Sequence, residues 1–207
     1  SGKSTIINLL CRLYDFKSGD ILIDDISIKK YDLFSLRKHV SLVLQDVFLF
    51  ADSLYNNITL FNKKISKEKV IIASKELGIH EFIESLPGGY DYDVRERGIM
   101  LSSGQRQLIA FLRAYLTDPS ILVLDEATSS VDSYTEESIQ RAIEKITTGK
   151  TSIIIAHRLT TIRNADRIIV LENGEIVEQG PHEKLIKVPG GHYANLYEMQ
   201  LAKELSY

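Results

Sequence analysis

A set of residues suited to phosphate binding stands at the start of the chain. Ser1-Gly2-Lys3-Ser4-Thr5 matches the end of the phosphate-loop pattern G-x-x-x-x-G-K-[ST], and a short apolar helix pattern follows it. In such a loop the lysine reaches the β- and γ-phosphates, the hydroxyl binds Mg²⁺, and the N–H groups at the helix start hold the anion. Taken alone, the same residues also suit a capped surface helix, so this stretch leaves both interpretations open.

Two carboxylates follow a continuous apolar stretch. Residues 121–124 are Ile-Leu-Val-Leu, which predicts a strand buried on both faces, and Asp125 and Glu126 come directly after it. Parallel sheets place ligand sites at the carboxyl ends of their strands. There Asp125 suits Mg²⁺, usually through water, and Glu126 suits a general base that polarises an attacking water. In isolation, the pair is better explained as helix-capping acids.

His157 stands in a similar place, directly after a second apolar stretch over residues 152–156. A side chain there would reach the same edge of the predicted sheet as Asp125, where it would hydrogen-bond a γ-phosphate or hold the attacking water. A lone histidine is more often structural, so the position alone leaves that alternative open.

A second helix start with phosphate-binding character is found roughly 100 residues after the first. Residues 101–105 are Leu-Ser-Ser-Gly-Gln, next to a helix predicted from Ser103 to Leu116. Hydroxyls, a glycine and free N–H groups suit an anion, although Ser102 or Ser103 would also serve as a simple N-cap. Two such helix starts in one chain are most simply explained if they serve the same nucleotide in different subunits.

The elements that would position these residues alternate between strands and helices, which predicts an α/β fold. Further strands are expected over 20–28 (a hairpin), 40–44, 167–171 and 175–178, and Asn173-Gly174 is a strong hairpin turn between the last two. Helices are expected over 6–13, 66–77, 80–86, 103–116, 135–146, 181–186 and 193–205. The stretch from 52 to 118 has no strand signal, which predicts a helical insert.

Composition excludes several classes of protein. The 207 residues are 44% hydrophobic and 26% charged, as in globular chains long enough to bury a sizeable core. The net charge of -3 gives no indication of nucleic-acid binding. Cys11 is the one cysteine, so an internal disulfide is impossible. No apolar stretch approaches the roughly 20 residues that span a bilayer, so a membrane-spanning part would lie outside this sequence.

Taken together, the motifs and their order resemble the nucleotide-binding domain of ATP-binding-cassette (ABC) proteins. They are, in chain order, Gly2–Thr5, Gln45, Leu101–Gln105, Ile121–Asp132 and Ala156–Arg158. The resemblance covers essentially the whole chain. It implies an α/β, P-loop NTPase-like core with a mainly parallel sheet, formed by residues 1–51 and 119–207, and an all-helical signature subdomain over residues 52–118.

The resemblance implies ATP and Mg²⁺ as ligands. Lys3 and Ser4 would hold the phosphates and the metal, with Gly2 and Thr5 lining the loop. Gln45 is similar to the family's Q-loop glutamine, which senses Mg²⁺ and the attacking water. The implied metal-binding residues are Ser4, Gln45 and Asp125.

The remaining roles also come from the resemblance. Glu126 would be the catalytic carboxylate, and His157 the switch histidine. Ser102 and Gly104 would contact the γ-phosphate bound by the opposite subunit, with Gln105 supporting their loop. Asp132 is similar to the D-loop aspartate, which communicates across the dimer. The reaction implied is ATP hydrolysis between two head-to-tail domains.

The subtype is similar to exporters, because Arg12–Asp15, Val43–Phe50 and Glu96–Gly98 match that group. This likeness implies a transmembrane domain, normally fused upstream, that docks near Gln45 and near Glu96–Gly98. It also implies a second nucleotide-binding domain, identical or different, no nucleic-acid partner, and a location on the cytoplasmic face of the cell membrane.

The chain departs from the family pattern at several positions. Ser103 and Arg95 stand where glycine is usual, and Asp25 replaces a common turn glycine. Ser103 would be strained by about 1 kcal/mol if that position needs a positive φ. The first part of the phosphate loop, the strand leading into it and the adenine-stacking aromatic residue would precede Ser1, so we expect this chain alone to bind ATP poorly.

Three alternatives to an exporter ATPase are open. Cassette ATPases of chromosome maintenance or DNA repair often insert long coiled coils, yet no sustained heptads separate Lys3 from Ser102. Soluble cassettes that act on ribosomes carry two cassettes in one chain, and the exporter-like stretch from Gln45 to Phe50 argues against them. A degenerate, non-hydrolytic site often lacks the glutamate or the histidine, and both Glu126 and His157 are present.

Overall fold

A computed structural model describes residues 2–125, 133–156 and 159–204. Of the predicted site residues, Glu126, Asp132 and His157 lie outside the described residues. The chain divides into two compact units, Ser1–Tyr31 with Ile155–Tyr207, and Asp32–Ile154. The predicted division at residues 52 and 119 stays a prediction.

The described part of the chain combines helices and strands, with four α-helices in succession over residues 54–117. The helices are α1 (Lys3–Leu10), α2 (Leu33–His39), α3 (Leu54–Thr59), α4 (Lys67–Glu76), α5 (His80–Glu84), α6 (Ser103–Thr117), α7 (Ser133–Thr147), α8 (Leu159–Arg163), α9 (His182–Leu185) and α10 (His192–Glu204). The strands are β1 (Leu22–Ile23), β2 (Ile26–Ser27), β3 (Val40–Val43), β4 (Ile121–Asp125), β5 (Thr151–Ile155), β6 (Ile168–Glu172) and β7 (Glu175–Gly180). Short 3₁₀ turns cover Ile28–Lys30, Gly89–Asp91 and Glu96–Gly98.

A sheet of three strands, in the order β3-β4-β5, confirms the predicted α/β class. β3 runs parallel to β4, and the register pairs Val40 with Ile121 and Val43 with Leu124. The middle of β4, Leu122 to Leu124, is buried, as its continuous apolar sequence predicts for a strand covered on both faces.

The largest apolar core of the Asp32–Ile154 unit is organised around α6. This helix packs against α3, α4 and α7. Leu108, Phe111 and Leu112 recur at helical spacing and are buried, while the phenol of Tyr115 reaches Glu76 at 2.7 Å. Burial of a side chain such as Phe111 stabilises the fold by about 1.5–3 kcal/mol.

Two hairpins lie in the other unit. β6 and β7 pair antiparallel around Asn173-Gly174, which adopts φ values of 50° and 86°. β1 and β2 pair around Asp24-Asp25, with φ values of 48° and 62°. Positive φ at both central residues is the type I′ geometry that joins strands by two residues. The predicted Asn-Gly turn is confirmed, and the first hairpin is shorter than the predicted 20–28.

Three helices were not predicted: α2, α3 and α8. Each is only 5 to 7 residues long, too short for a clear helical period. Side-chain caps start two of them, since Asp32 accepts from the Ser35 N–H at 2.9 Å and Ser53 from the Asn56 N–H at 3.1 Å. None of the helices in the described part of the chain is long and apolar enough to cross a bilayer.

Candidate functional site

The N-terminus of α1 presents the predicted phosphate-binding residues to solvent. Gly2 is the N-cap and takes φ 91° and ψ 0°, a left-handed conformation that favours glycine. No side chain of the described residues caps this helix start. Lys3, Ser4 and Thr5 are exposed, so an ammonium group and two hydroxyls are open to solvent at a helix start whose first-turn N–H groups lack intrahelical partners. This donor set suits an anion such as a phosphate.

A second group of polar side chains follows two neighbouring strand ends. β3 and β4 run in the same direction, and Asp125 comes one residue after Leu124, the partner of Val43. Gln45 follows Val43 by two residues, so both side chains belong to the carboxyl edge of the sheet. Asp125 is half-buried and Gln45 is exposed.

The oxygen donors at these positions fit Mg²⁺. Gln45 and Asp125 offer an amide and a carboxylate oxygen, which are ligands that a hard cation prefers. Within the described ranges no cluster of three or more histidine, cysteine or acidic side chains forms a metal cage. Mg²⁺ usually keeps several waters and binds through one or two carboxylates plus substrate phosphates, so one carboxylate and one amide oxygen at this edge suit the cation.

The start of α6 holds the second phosphate-binding motif in a capping box. The Ser102 hydroxyl oxygen accepts from the Gln105 N–H at 3.2 Å, and the Gln105 side-chain oxygen accepts from the Ser102 N–H at 2.9 Å. The Ser102 hydroxyl is exposed and keeps its own proton for donation. Ser103 lies in the first turn of the helix and not at a positive φ, so the strain considered for a serine there is absent.

An arginine that was not predicted supports this loop. Arg106 donates from Nη1 to the Leu101 carbonyl oxygen at 2.6 Å, which fixes the first residue of the motif. Its position one residue after Gln105 is the only signal in the sequence, and a charged residue on the first turn of a helix is too common to indicate a role.

The segment before α6 combines a strained residue with a tight glycine contact. Arg95 has φ 56° and ψ -171°, a region occupied almost only by glycine. Gly98 has φ 64°, and a Cβ atom there would lie 2.6 Å from Leu49 Cδ1. Close packing against Leu49 and the backbone conformation both require glycine at position 98.

An exposed aromatic cluster lies in the Asp32–Ile154 unit. It consists of Phe48, Phe50 and Phe61, and we call it the aromatic patch. Their side chains are 56%, 43% and 49% exposed. The ring centroids of Phe48 and Phe50 are 5.1 Å apart, and those of Phe50 and Phe61 5.7 Å apart, both edge-on. Exposed apolar clusters of this kind mark interaction surfaces. The sequence showed these phenylalanines but not that they gather on the surface.

The comparisons with known proteins decide the family. The profile of the family described as ABC transporter matches residues 1–129. The chain belongs to the ABC transporter family. It is 52% identical to an ATP-dependent lipid A-core flippase of Legionella pneumophila, over 97% of this chain and 34% of that protein. It is 50% identical to an uncharacterized ABC transporter ATP-binding protein, YknV, of Bacillus subtilis, over 97% of this chain and 33% of that protein.

A solved structure gives the same answer for the fold. The structure of a bacterial Atm1-family ABC exporter with ATP bound matches with a TM-score of 0.87 and 42% identity, over 96% of this chain and 35% of that chain. The chain thus spans about a third of the length of these relatives. These matches confirm the family that the motifs predicted. At the level of the family, they also confirm the predicted similarity to exporters and the predicted ATPase activity.

Proposed function

We propose that this chain is the ATP-binding and ATP-hydrolysing domain of an exporter, and that it works in a head-to-tail pair. The observation that carries the proposal is the presence of two exposed helix starts with phosphate-binding residues, at α1 and α6. In this arrangement the α1 start of one domain binds ATP, and the α6 start of its partner covers the γ-phosphate. The partner is a second copy or a related domain.

ATP is bound before hydrolysis by the residues at the start of α1 and by the metal ligands. The Lys3 ammonium group and the first-turn N–H groups of α1 bind the β- and γ-phosphates. Ser4 and Asp125 would hold Mg²⁺, Asp125 through water, with Gln45 at the same metal. When bound, the cation neutralises charge that develops on the phosphate oxygens. Thr5 lines the loop beside Ser4.

Hydrolysis is assigned to Glu126 and His157, which follow β4 and β5 in the sequence. Glu126 takes a proton from the attacking water, and His157 holds that water or the γ-phosphate. Asp132 belongs to the contact between the two domains. Positioning and charge stabilisation supply most of the rate gain in phosphoryl transfer, so precise placement of these groups matters more than covalent chemistry.

The capping box explains how Ser102 serves two roles. Its oxygen accepts the Gln105 N–H, which leaves the hydroxyl proton to donate to a γ-phosphate oxygen of ATP on the partner domain. Gln105 holds Ser102 in place, and Gly104 leaves no side chain at the helix start.

We further propose that a transmembrane domain docks on the aromatic patch and on Glu96–Gly98, with this domain on the cytoplasmic face of the cell membrane. Three exposed phenylalanines suit the apolar side of a short docking helix. Leu60 and Phe61 have φ values of 50° and 60°. Such backbone strain in residues with side chains is typical of functional surfaces.

ATP binding by the full-length protein with Mg²⁺ tests the nucleotide site. Lys3→Ala should weaken ATP binding by roughly 100-fold, as expected for loss of a charge-assisted contact of about 3 kcal/mol. Lys17→Ala removes another exposed lysine of the same compact unit and should leave binding unchanged. Equal affinities for the Lys3 variant and the unmodified protein would contradict the assignment.

A further inference from the structure

Arg113 lies in the middle of α6, and its guanidinium group is used entirely on neutral acceptors. Nε donates to the Asn57 carbonyl oxygen at 2.6 Å, Nη1 to the Phe48 carbonyl oxygen at 2.9 Å, and Nη2 to Asn57 Oδ1 at 3.2 Å. Among the residues that the structure describes, no carboxylate pairs with it. Burial away from water lowers the pKa of the Arg113 guanidinium to about 10.

Asn57 extends this network into the loop that carries the aromatic patch. Its side chain is fully buried. Oδ1 accepts from the Phe50 N–H at 2.8 Å, and Nδ2 donates to the carbonyl oxygens of Phe50 and Ser53, each at 3.0 Å. Both ends of the amide are therefore used to hold the main chain of the loop.

Packing alone does not account for an arginine at this position. An apolar side chain of similar volume would fill the space without the cost of removing a cation from water. The fixed fork of a guanidinium, in contrast, reaches several acceptors at set angles, which a lysine does less well. The arrangement therefore favours a role in holding geometry.

The network joins two surfaces that the proposed function uses. Its carbonyl acceptors belong to Phe48 and Asn57, and its amide contacts reach Phe50, so the patch main chain is tied to α6. The same helix starts at the Ser102 cap, about 16 Å from Arg113 at a rise of 1.5 Å per residue. Because the backbone hydrogen bonds of a helix make it stiff along its axis, a shift of α6 at Arg113 would also move its Ser102 end.

We propose that Arg113 is a positioning residue that fixes the aromatic patch to the signature helix α6, so that the docked membrane domain sets the position of Ser102. This inference rests on the proposed function. It assigns to Arg113 no contact with ATP: its effect on hydrolysis is exerted through the placement of the α6 start.

The test uses the full-length transporter in lipid nanodiscs, with ATP and Mg²⁺. Arg113→Met should lower kcat roughly tenfold or more, because small misplacements of a catalytic group carry penalties of that size, and leave KM for ATP within about twofold. Arg113→Lys keeps the charge but loses the fork, and should lower kcat about threefold. Tyr115→Phe, which removes the α6 hydrogen bond to Glu76, is the matched control and should keep kcat unchanged.

Hydrogen exchange over residues 48–53 gives a readout that does not depend on turnover. Exchange of the Phe50 amide should accelerate about tenfold in the Arg113 variants and not in Tyr115→Phe. If Arg113→Met does not fold, Arg113→Lys carries both measurements. If Arg113→Lys changes neither kcat nor amide exchange, the inference is wrong and the proposed function still stands. The same conclusion follows if Tyr115→Phe lowers kcat as much as the Arg113 variants do. An unmodified transporter that does not hydrolyse ATP would overturn the proposed function and the inference with it.

Discussion

Replacing Arg95 with glycine should stabilise the protein. Arg95 precedes the 3₁₀ turn Glu96–Gly98 and has φ 56° and ψ -171°. Its N–H donates to Asp93 Oδ1 at 2.9 Å, a bond that glycine would keep. Its side chain is exposed, and its guanidinium group makes no hydrogen bond or ion pair with another described residue. The substitution therefore removes strain and almost nothing else.

The magnitude follows from two opposing terms. A residue with a side chain in this glycine region costs about 1–3 kcal/mol. Glycine loses more conformational entropy on folding, which offsets about 0.5–1 kcal/mol of the gain. The net expectation is an increase of up to about 2.5 kcal/mol in the free energy of unfolding, with a central value of about 1 kcal/mol. For a chain of this length, an increase of about 1 kcal/mol raises Tm by about 2–4 °C.

Thermal unfolding of the 207-residue chain measures this difference. Arg95→Ala is the matched control, since it removes the charge and most of the side chain but keeps a Cβ atom in the strained conformation. We expect its Tm to lie within about 2 °C of the unmodified chain. A glycine variant no more stable than the alanine variant would refute the argument that the Arg95 backbone is strained.

Two further predictions concern the segment before α6 and its cap. Gly98→Ala should lower the free energy of unfolding by about 2–4 kcal/mol, because it adds a clash with Leu49 to the cost of a positive φ. Gly149→Ala, with φ 72° and open space around it, should cost only about 1 kcal/mol in the same denaturation assay, and equal losses would refute the clash. Ser102→Ala should cost about 1 kcal/mol and also slow ATP hydrolysis in the full-length protein, whereas Ser102→Asp should keep the cap and still lose hydrolysis through repulsion of the γ-phosphate. Wild-type hydrolysis in Ser102→Asp would limit Ser102 to capping.

The central elements of the fold could be predicted because each carries a strong local pattern. The continuous apolar run of β4 allows burial on both faces, and α6 repeats apolar residues at helical spacing. Asn173-Gly174 supplies the positive φ values that a two-residue hairpin needs. The short helices α2 and α3 lack such a period and depend on caps and on packing against distant residues.

The phosphate-binding motifs could be recognised because their order is specific, even though each is weak alone. The aromatic patch could not be predicted, since Leu49 is buried while Phe48 and Phe50 on either side of it are exposed. Leu49 is buried because it packs against Gly98, which is far away in the sequence. The main chain of Phe50 is held by the buried Asn57 side chain, a contact that exists only in the folded chain. Arg113 likewise resembles any helical arginine until its three acceptors are known.

The most direct test of the proposed ATPase is Glu126→Gln in the full-length transporter. Phosphate release with Mg²⁺ and radiolabelled ATP retained after gel filtration are measured on the same preparation. We predict that turnover falls at least about 100-fold while ATP stays bound, because the general base is lost but the phosphate site is intact. Glu144→Gln, an exposed position on α7, should behave as the unmodified protein. Unchanged phosphate release in Glu126→Gln would contradict the assignment of Glu126 as the base.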